Sequence, residues 1–529
     1  MSHQAKEPRD YRIILQQDAS EPVDQQFGKT TPQGLLRDSV EQLLGFPIDA
    51  YASDANHGGG VHYDSKVAER CLSTVKDLKS GSSVQMHDGL QQLIDQGTDT
   101  LNVYCDGAHT NGLDYFVRLR MNDIHDIVGY MSKMEQTVQR APLTGQPEPY
   151  YYTSKWRRDN NDALMGDPTD DTPVSYEFWD RGAPNYALGK TRQLMCGIAE
   201  EIVNHCDLDL LELDFIRAPF FFPRQERYAQ RHVMTEVVRR IADYCKQAGD
   251  RRGRPVRLSV RVPDTIQMSL STGLDLPVWL EEGLVDMITI SGGYNPMGTP
   301  WRDIVSVADK AGVPTKACLN YGPIKYNRQY FRAAATRAFD QGVTGIKLWN
   351  CFYCFDYYGF AESRLNLDFT HELSQPDKLR TMSKTYTPPR SMMPTDLIGS
   401  VYAHVTVQGQ LPMTIGHCTD GIGNTIEFDI ADEPADHAQE PWRLKLSLKG
   451  LAPDDQLEYA WNGKAIEPDP DAFIGLPTRD DHNREFDIAP NSCIKGVNRL
   501  EIKLLKRDAR LVPHVGLVDA ELKLPGVDS

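Results

Sequence analysis

Over the first 370 residues, short apolar runs alternate with stretches whose apolar positions recur at helical spacing, and this alternation narrows the possible folds most. Eight runs read as strands: 12–17, 47–52, 115–121, 208–215, 256–262, 285–291, 315–319 and 344–349. Between them lie amphipathic stretches such as 189–205, where Leu194, Ile198 and Ile202 share a face, together with 226–247 and 325–341. Segment 99–111 suits a strand or a helix. Leu101, Cys105 and Ala108 fall on one helical face, and Asn111-Gly112 supplies a stop, so a helix is expected. Strand–helix alternation calls for a parallel sheet with crossover helices. Eight such units predict a (β/α)8 TIM barrel over residues 1–375. An open doubly wound sheet carries a Gly-rich turn after its first strand. Here that turn is Gln16-Gln17-Asp18-Ala19-Ser20, and no phosphate-loop Lys-Ser/Thr follows Gly58-Gly59-Gly60, so nucleotide binding is not expected.

The pattern changes after residue 375. Segment 376–396 is polar, contains Pro388-Pro389 and reads as a linker. Beyond it, residues 397–529 show short alternating runs at 401–408, 425–430, 442–449, 457–461, 498–505 and 514–524. Turns rich in Gly, Asp, Asn and Pro separate them, which predicts a C-terminal antiparallel β-sandwich, with Trp461-Asn462-Gly463-Lys464 as a hairpin turn.

Charge and composition exclude some functions. Lys and Arg number 57 against 74 Asp and Glu, a net charge of −17, unlike a dedicated nucleic-acid binder. No apolar run is long enough to span a bilayer, so no membrane partner is expected. The opening MSHQAKEPRD lacks the apolar segment of a secretory signal. A cytoplasmic protein is expected from the chain as written, or a secreted or periplasmic one if a leader has been removed. The 10 cysteines form no disulfide framework, and the close pair Cys351 and Cys354 has no second pair at zinc-binding spacing.

In a barrel, chemistry sits at the C-terminal strand ends, and alternate residues point inward. Strand four places Glu212 and Asp214 on one face, with Leu211, Leu213 and Phe215 on the other. Strand three offers Arg118, Arg120 and Asn122, and strand five Arg257, Ser259 and Arg261. Glu212 reads as part of an interior salt bridge, clamped by Arg118 or Arg120. Asp214, at the rim and open to solvent, reads as a carboxylate kept ionised by flanking arginines, suited to a nucleophile or charge stabiliser. Glycoside hydrolysis needs a second carboxyl group. Asp264 is the first candidate; a turn-capping role fits it equally. Asp123 and Asp126 are fallbacks. Asn122, Asp123 and His125 suit sugar hydroxyls. Tyr294-Asn295, Asn320-Tyr321 and Trp349-Asn350 put aromatics and amides at further strand ends, and Asp54, His57 and His62 add polar groups after strand two.

The run Leu208–Pro219, LDLLELDFIRAP, resembles the strand-four motif of glycoside-hydrolase-like TIM barrels distantly related to the α-amylase clan, including bacterial glycosidases. The resemblance implies that Asp214 acts as the nucleophile, with Arg217 and Pro219 matching the motif. The chain departs from amylases proper at Glu212, where they carry Arg, and at strand five, where their acid is Glu and Asp264 is the nearest carboxylate here.

A glycoside hydrolase acting on an oligo- or polysaccharide is therefore expected, with Asp214 and Asp264 catalytic. Arg120, Asn122, Asp123, His125, Arg217, Arg261, Tyr294 and Trp349 would bind substrate. No cofactor or metal is expected, and oligomeric state is not legible. The inward arginines suggest an anionic sugar. The alternatives are a Schiff-base aldolase using Lys347 or Lys316, a metal-dependent hydrolase, and a non-catalytic glycan-binding protein.

Overall fold

The computed structural model describes residues 10–18, 29–57, 59–71, 82–124, 154–165, 182–290, 295–320, 328–349, 367–391, 404–452, 454–470, 481–507 and 514–527. Eight parallel strands close into a barrel. They are β1 (Ile13–Gln17), β2 (Ala50–Asp54), β3 (Asp114–Arg120), β4 (Leu210–Asp214), β5 (Arg257–Val262), β6 (Met287–Ile290), β7 (Thr315–Asn320) and β8 (Gly345–Trp349). Each pairs with its sequence neighbours, and β8 returns to β1. All eight expected strands are present, so the architecture is a (β/α)8 barrel.

The segment with two possible readings is helix α1 (Thr100–Thr110). Asp99 caps its start by accepting from Asn102 N–H, and Asn111 ends it before Gly112 at φ 78°. Helices α2 (Gly189–His205), α3 (Arg231–Arg252) and α4 (Arg328–Asp340) cover the barrel where the apolar periodicity placed them. Outward strand residues such as Leu211 and Leu213 join the main core beneath this helical shell.

Inside, the barrel is layered. At the N-terminal end Tyr11, Ile14, Ala50, Ala52, Phe116, Leu210 and Met287 form a separate apolar cluster. Two residues further along the same strands stand Gln16, Asp54, Arg118, Glu212 and Thr289, all buried. The register sets Arg120 beside Asp214 and Asp214 beside Arg261.

The C-terminal part is antiparallel. Its strands are β9 (Lys384–Tyr386), β10 (Met413–Ile415), β11 (Asn424–Ile430), β12 (Trp442–Lys449), β13 (Gln456–Trp461), β14 (Lys464–Ile466), β15 (Asp481–Ile488), β16 (Gly496–Lys506) and β17 (Val515–Leu524). One sheet runs β9-β17-β12-β15 with β10 on β17, the other β11-β16-β13-β14. The expected hairpin joins β13 to β14, with Asn462 at φ 49° and Gly463 at φ 79°. Tyr459 of one sheet meets Phe486 of the other at 4.9 Å between rings.

The stretch expected as a linker is structured in its described part. Residues 376–379 form a helical turn, and β9 pairs with β17. Of the expected strand 401–408, residues 404–408 belong to no strand. They lie instead along the barrel rim, where His404 stacks on Phe220 and Asp264 N–H donates to Val405 O. Among the described residues no helix is long and apolar enough to cross a membrane.

Candidate active site

The C-terminal end of the barrel holds a continuous network of carboxylates and guanidinium groups. Asp214 ends β4 and is wholly enclosed, its side chain 0% exposed. Its Oδ1 accepts from Ile216 N–H at 2.9 Å and Arg217 N–H at 3.2 Å. Its Oδ2 lies 3.0 Å from Arg261 Nη1 and 3.2 Å from Arg118 Nη1. Ala218 closes this turn at φ 52°, a conformation that costs a non-glycine residue about 1 kcal/mol. Burial pushes the Asp214 pKa up, but Arg261, Arg118 and the Ile216 N–H outweigh it and hold it at about 2. The carboxylate is ionised, as expected. The expectation that it opens to solvent is corrected: both oxygens are taken by protein donors.

Arg118 carries the network across the barrel. Its Nε and Nη2 grip Asp54, at the end of β2, while Nη1 faces Asp214. Arg120 also bonds Asp54, reaches Asp18 Oδ1 at 3.0 Å, and holds Asp123 Oδ2 at 2.7 Å. Gln16 Nε2 donates to Asp54 Oδ1 at 3.2 Å and Asp18 Oδ1 at 3.4 Å. Asp18 and Asp54 are brought together by Arg118, Arg120 and Gln16, each of which bonds both. Two carboxylates this close cannot both carry full charge without cost. Burial raises the pKa of Asp54 to about 6 against Arg118 and Arg120, and the Asp18 charge adds to the rise. Burial also works against the Asp18 charge, but Arg120 and Arg118 override it and hold Asp18 well below the usual carboxylate range. The two form a pair in which Asp54 keeps the proton. Asp18, 18% exposed, is the member that reaches the surface.

Three buried polar atoms beside this pair make no hydrogen bond: His62 Nε2, Asn122 Oδ1 and Arg120 Nε. Burial drives the His62 pKa down to about 4, so its ring is neutral. Its Nδ1 is 3.2 Å from Asp54 O. Asn122 uses only its amide nitrogen, which donates to Phe220 O at 2.5 Å. Buried polar atoms without partners are uncommon, and a hydroxyl-rich ligand supplies donors and acceptors for such atoms.

The remaining expectations divide. Arg217 is half-buried at the rim, and its backbone N–H caps Asp214. Trp349 is buried, with Arg261 4.1 Å from its ring centroid, so this face carries a guanidinium rather than a sugar. Glu212 forms the expected interior salt bridge with a different partner: Lys347 Nζ, with Thr289 Oγ1 donating at 2.8 Å. Arg118 and Arg120 are drawn away to Asp54, Asp18 and Asp123. Asp264 is fully buried and accepts from Val407 N–H at 2.7 Å and Thr299 Oγ1 at 3.4 Å. It holds the distant rim segment in place rather than capping the next helix, whose N-cap is Thr265. His125, Asp126, Tyr294, Tyr321, Asn350, Cys351 and Cys354 lie outside the described residues.

The Schiff-base alternative loses its lysines. Lys347 is bound to Glu212 in the interior, and Lys316 sits at the opposite end of the barrel, donating to Tyr11 O at 2.6 Å. Among the described residues no group of three or more His, Cys, Asp or Glu could hold a metal ion. Among the arginines behind the anionic-sugar expectation, Arg118, Arg120 and Arg261 each face protein carboxylates.

Asp54 and His62, expected only as further polar groups after strand two, and Asp18, which the sequence names only within the turn after strand one, join this network. The rule that found Asp214 also finds Asp54, since both are acids at the last inward position of a barrel strand.

No protein-family model and no curated protein matches the chain. Among solved structures it is similar to an endo-β-1,4-mannanase from Thermotoga petrophila, with TM-score 0.41, 11% identity and 99% of each chain covered. It is similar to the PgaB glycoside hydrolase domain from Bordetella bronchiseptica, with TM-score 0.38, 9% identity, and 64% of this chain and 94% of that one covered. A GH36 α-galactosidase, AgaB from Geobacillus stearothermophilus, gives TM-score 0.36 and 9% identity over 94% of this chain and 56% of that one. At such TM-scores the likeness carries no argument about activity, which rests on the site itself.

Proposed function

We propose that the chain is a glycoside hydrolase acting on a neutral oligo- or polysaccharide at the C-terminal end of the barrel. The observation that carries this reading is the pair Asp18 and Asp54, clamped together by Arg118, Arg120 and Gln16, in which burial raises the Asp54 pKa to about 6 and Asp18 reaches the surface. Protonating a glycosidic oxygen needs a carboxyl group whose pKa is raised above its ordinary value. Asp54 carries the proton, and Asp18, ionised between it and the surface, passes that proton to the glycosidic oxygen as it takes it up from Asp54. Asp214 is a positioning residue: it stays ionised and fixes Arg118, which in turn holds Asp54. Asn122 Oδ1 and His62 Nε2 accept hydrogen bonds from sugar hydroxyls. The motif at 208–219 supports a glycoside-hydrolase-like barrel by resemblance, while the enclosure of Asp214 departs from the nucleophile role that the resemblance implies. The ring contact between Tyr459 and Phe486 supports reading the two C-terminal sheets as a sandwich that serves as an accessory domain.

A screen of neutral and acidic polysaccharides for released reducing ends tests this reading. Release from a neutral glycan is expected, falling ~1,000-fold in Asp18→Asn while binding persists. The complete burial of Asp214 favours a second reading, a glycan-binding barrel without turnover. Binding without release by the unaltered protein on every glycan would select it.

A further inference from the structure

A second reactive cluster lies at the opposite, N-terminal face of the barrel. Cys105 is on α1 and Cys206 follows α2, whose His205 Nε2 lies 3.1 Å from Asn102 Nδ2 on α1, so the two thiols stand at one helix junction and each acts on the other. One turn beyond Cys105, His109 places Nδ1 4.0 Å from its sulfur. The other ring nitrogen, Nε2, is 2.7 Å from Asp209 Oδ2. Asp209 is fixed in turn by Tyr115 N–H at 2.8 Å and Arg254 Nη1 at 3.0 Å. The glycosidase reading uses none of these groups.

We propose that Cys105 and Cys206 form a peroxide-responsive dithiol, in which His109, oriented by Asp209, keeps Cys105 ready to react. A thiolate is the reacting form of cysteine, and an adjacent imidazolium favours it. The bond to Asp209 and the contact with Cys105 raise the His109 pKa to about 10, so the ring is positively charged at neutral pH. Cys105 is drawn down by the Cys206 thiol and then by His109, against its burial. At Cys245 burial, then the Asp286 charge, pushes the thiol up to about 12, and burial raises Cys318. The remaining charged groups around the pair are Asp207, Asp99 and Arg252.

The chemistry balances with hydrogen peroxide as oxidant. The Cys105 thiolate attacks one peroxide oxygen; an S–O bond forms and the O–O bond breaks. The departing hydroxide takes a proton from His109 and leaves as water. Cys105 is then a sulfenic acid, oxidised by two electrons. The Cys206 sulfur attacks it, the S–S bond forms, the S–O bond breaks, and hydroxide leaves with the Cys206 proton as a second water. The product links α1 to the end of α2. The 14% exposure of the His109 side chain gives peroxide its approach.

The test treats the full reduced chain with equimolar hydrogen peroxide, alkylates the remaining thiols and maps peptides by mass spectrometry. Loss of two hydrogens and a cross-link joining Cys105 to Cys206 are expected, at least ~10-fold faster than any change at Cys245. Cys206→Ser should stop at a Cys105 sulfenic acid that dimedone traps. His109→Gln should slow the reaction and move the pH midpoint of Cys105 alkylation upward. A purely structural histidine would not move that midpoint. Failure of the unaltered chain to form this cross-link, or equal oxidation of Cys105 and Cys245, overturns the proposal, and neither result depends on a variant folding.

Discussion

The two ends of the barrel interior are built on the same strands by opposite means. At the N-terminal end, Ile14, Ala52, Phe116, Leu210 and Met287 exclude water and need no specific partner. Two residues along, Gln16, Asp54, Arg118, Glu212 and Thr289 are equally buried, yet each depends on a particular neighbour. An apolar plug would be the cheaper filling, because burying charges costs several kcal/mol per ion before pairing recovers it. The N-terminal end holds a few buried charges, such as Asp114 and Lys316, but the linked carboxylate–guanidinium network is at the C-terminal end, where barrel chemistry is the physical reason that fits.

The strongest test of this contrast sets Asp18→Asn against Phe116→Ala. The first should lower turnover ~1,000-fold per folded molecule and also lower the unfolding midpoint, because Arg118 and Arg120 lose a partner. The second should cost about 3–5 kcal/mol of stability, read by denaturant unfolding, and leave turnover per folded molecule near normal. If both act on stability alone, the charged end is filler. Next in size is Lys347→Met, which strands Glu212 and should cost about 3 kcal/mol. Adding Glu212→Leu should recover most of that loss, and turnover should survive in the double variant, because this pair lies beneath the reacting groups.

The pH profile sharpens the comparison further. Asp54 must hold its proton for acid catalysis, and its pKa is raised to about 6. Turnover should therefore fall as pH rises above about 6, approaching tenfold per pH unit, and Asp54→Asn should abolish this limb. The smallest expected effect belongs to Asp264→Ala. It removes the acceptor for Val407 N–H and should cost about 1–2 kcal/mol, with turnover within about twofold of normal.

Much of the barrel was legible because strand–helix alternation is a local signal repeated eight times, and each repeat reinforces the others. The C-terminal strand β15 was not seen. Its sequence, DHNREFDI, places only Phe486 and Ile488 in the core, too few for the alternation to show. At the site, period two placed Glu212 and Asp214 inward correctly. It could not say which cation each would meet. Arg118 pairs across to β2, and Glu212 reaches Lys347 on β8, partners set by barrel closure rather than by adjacency in sequence. Asp264 shows the same limit from another side. Its partner, Val407, lies 143 positions away in the C-terminal part of the chain.

The most direct measurement is infrared difference spectroscopy between the unaltered protein and Asp54→Asn across pH 3 to 8. The account requires a protonated carboxyl band that disappears with a midpoint near pH 6, is absent from Asp54→Asn, and matches the fall in turnover. A carboxyl band already gone by about pH 4, the ordinary range for aspartate, would contradict it.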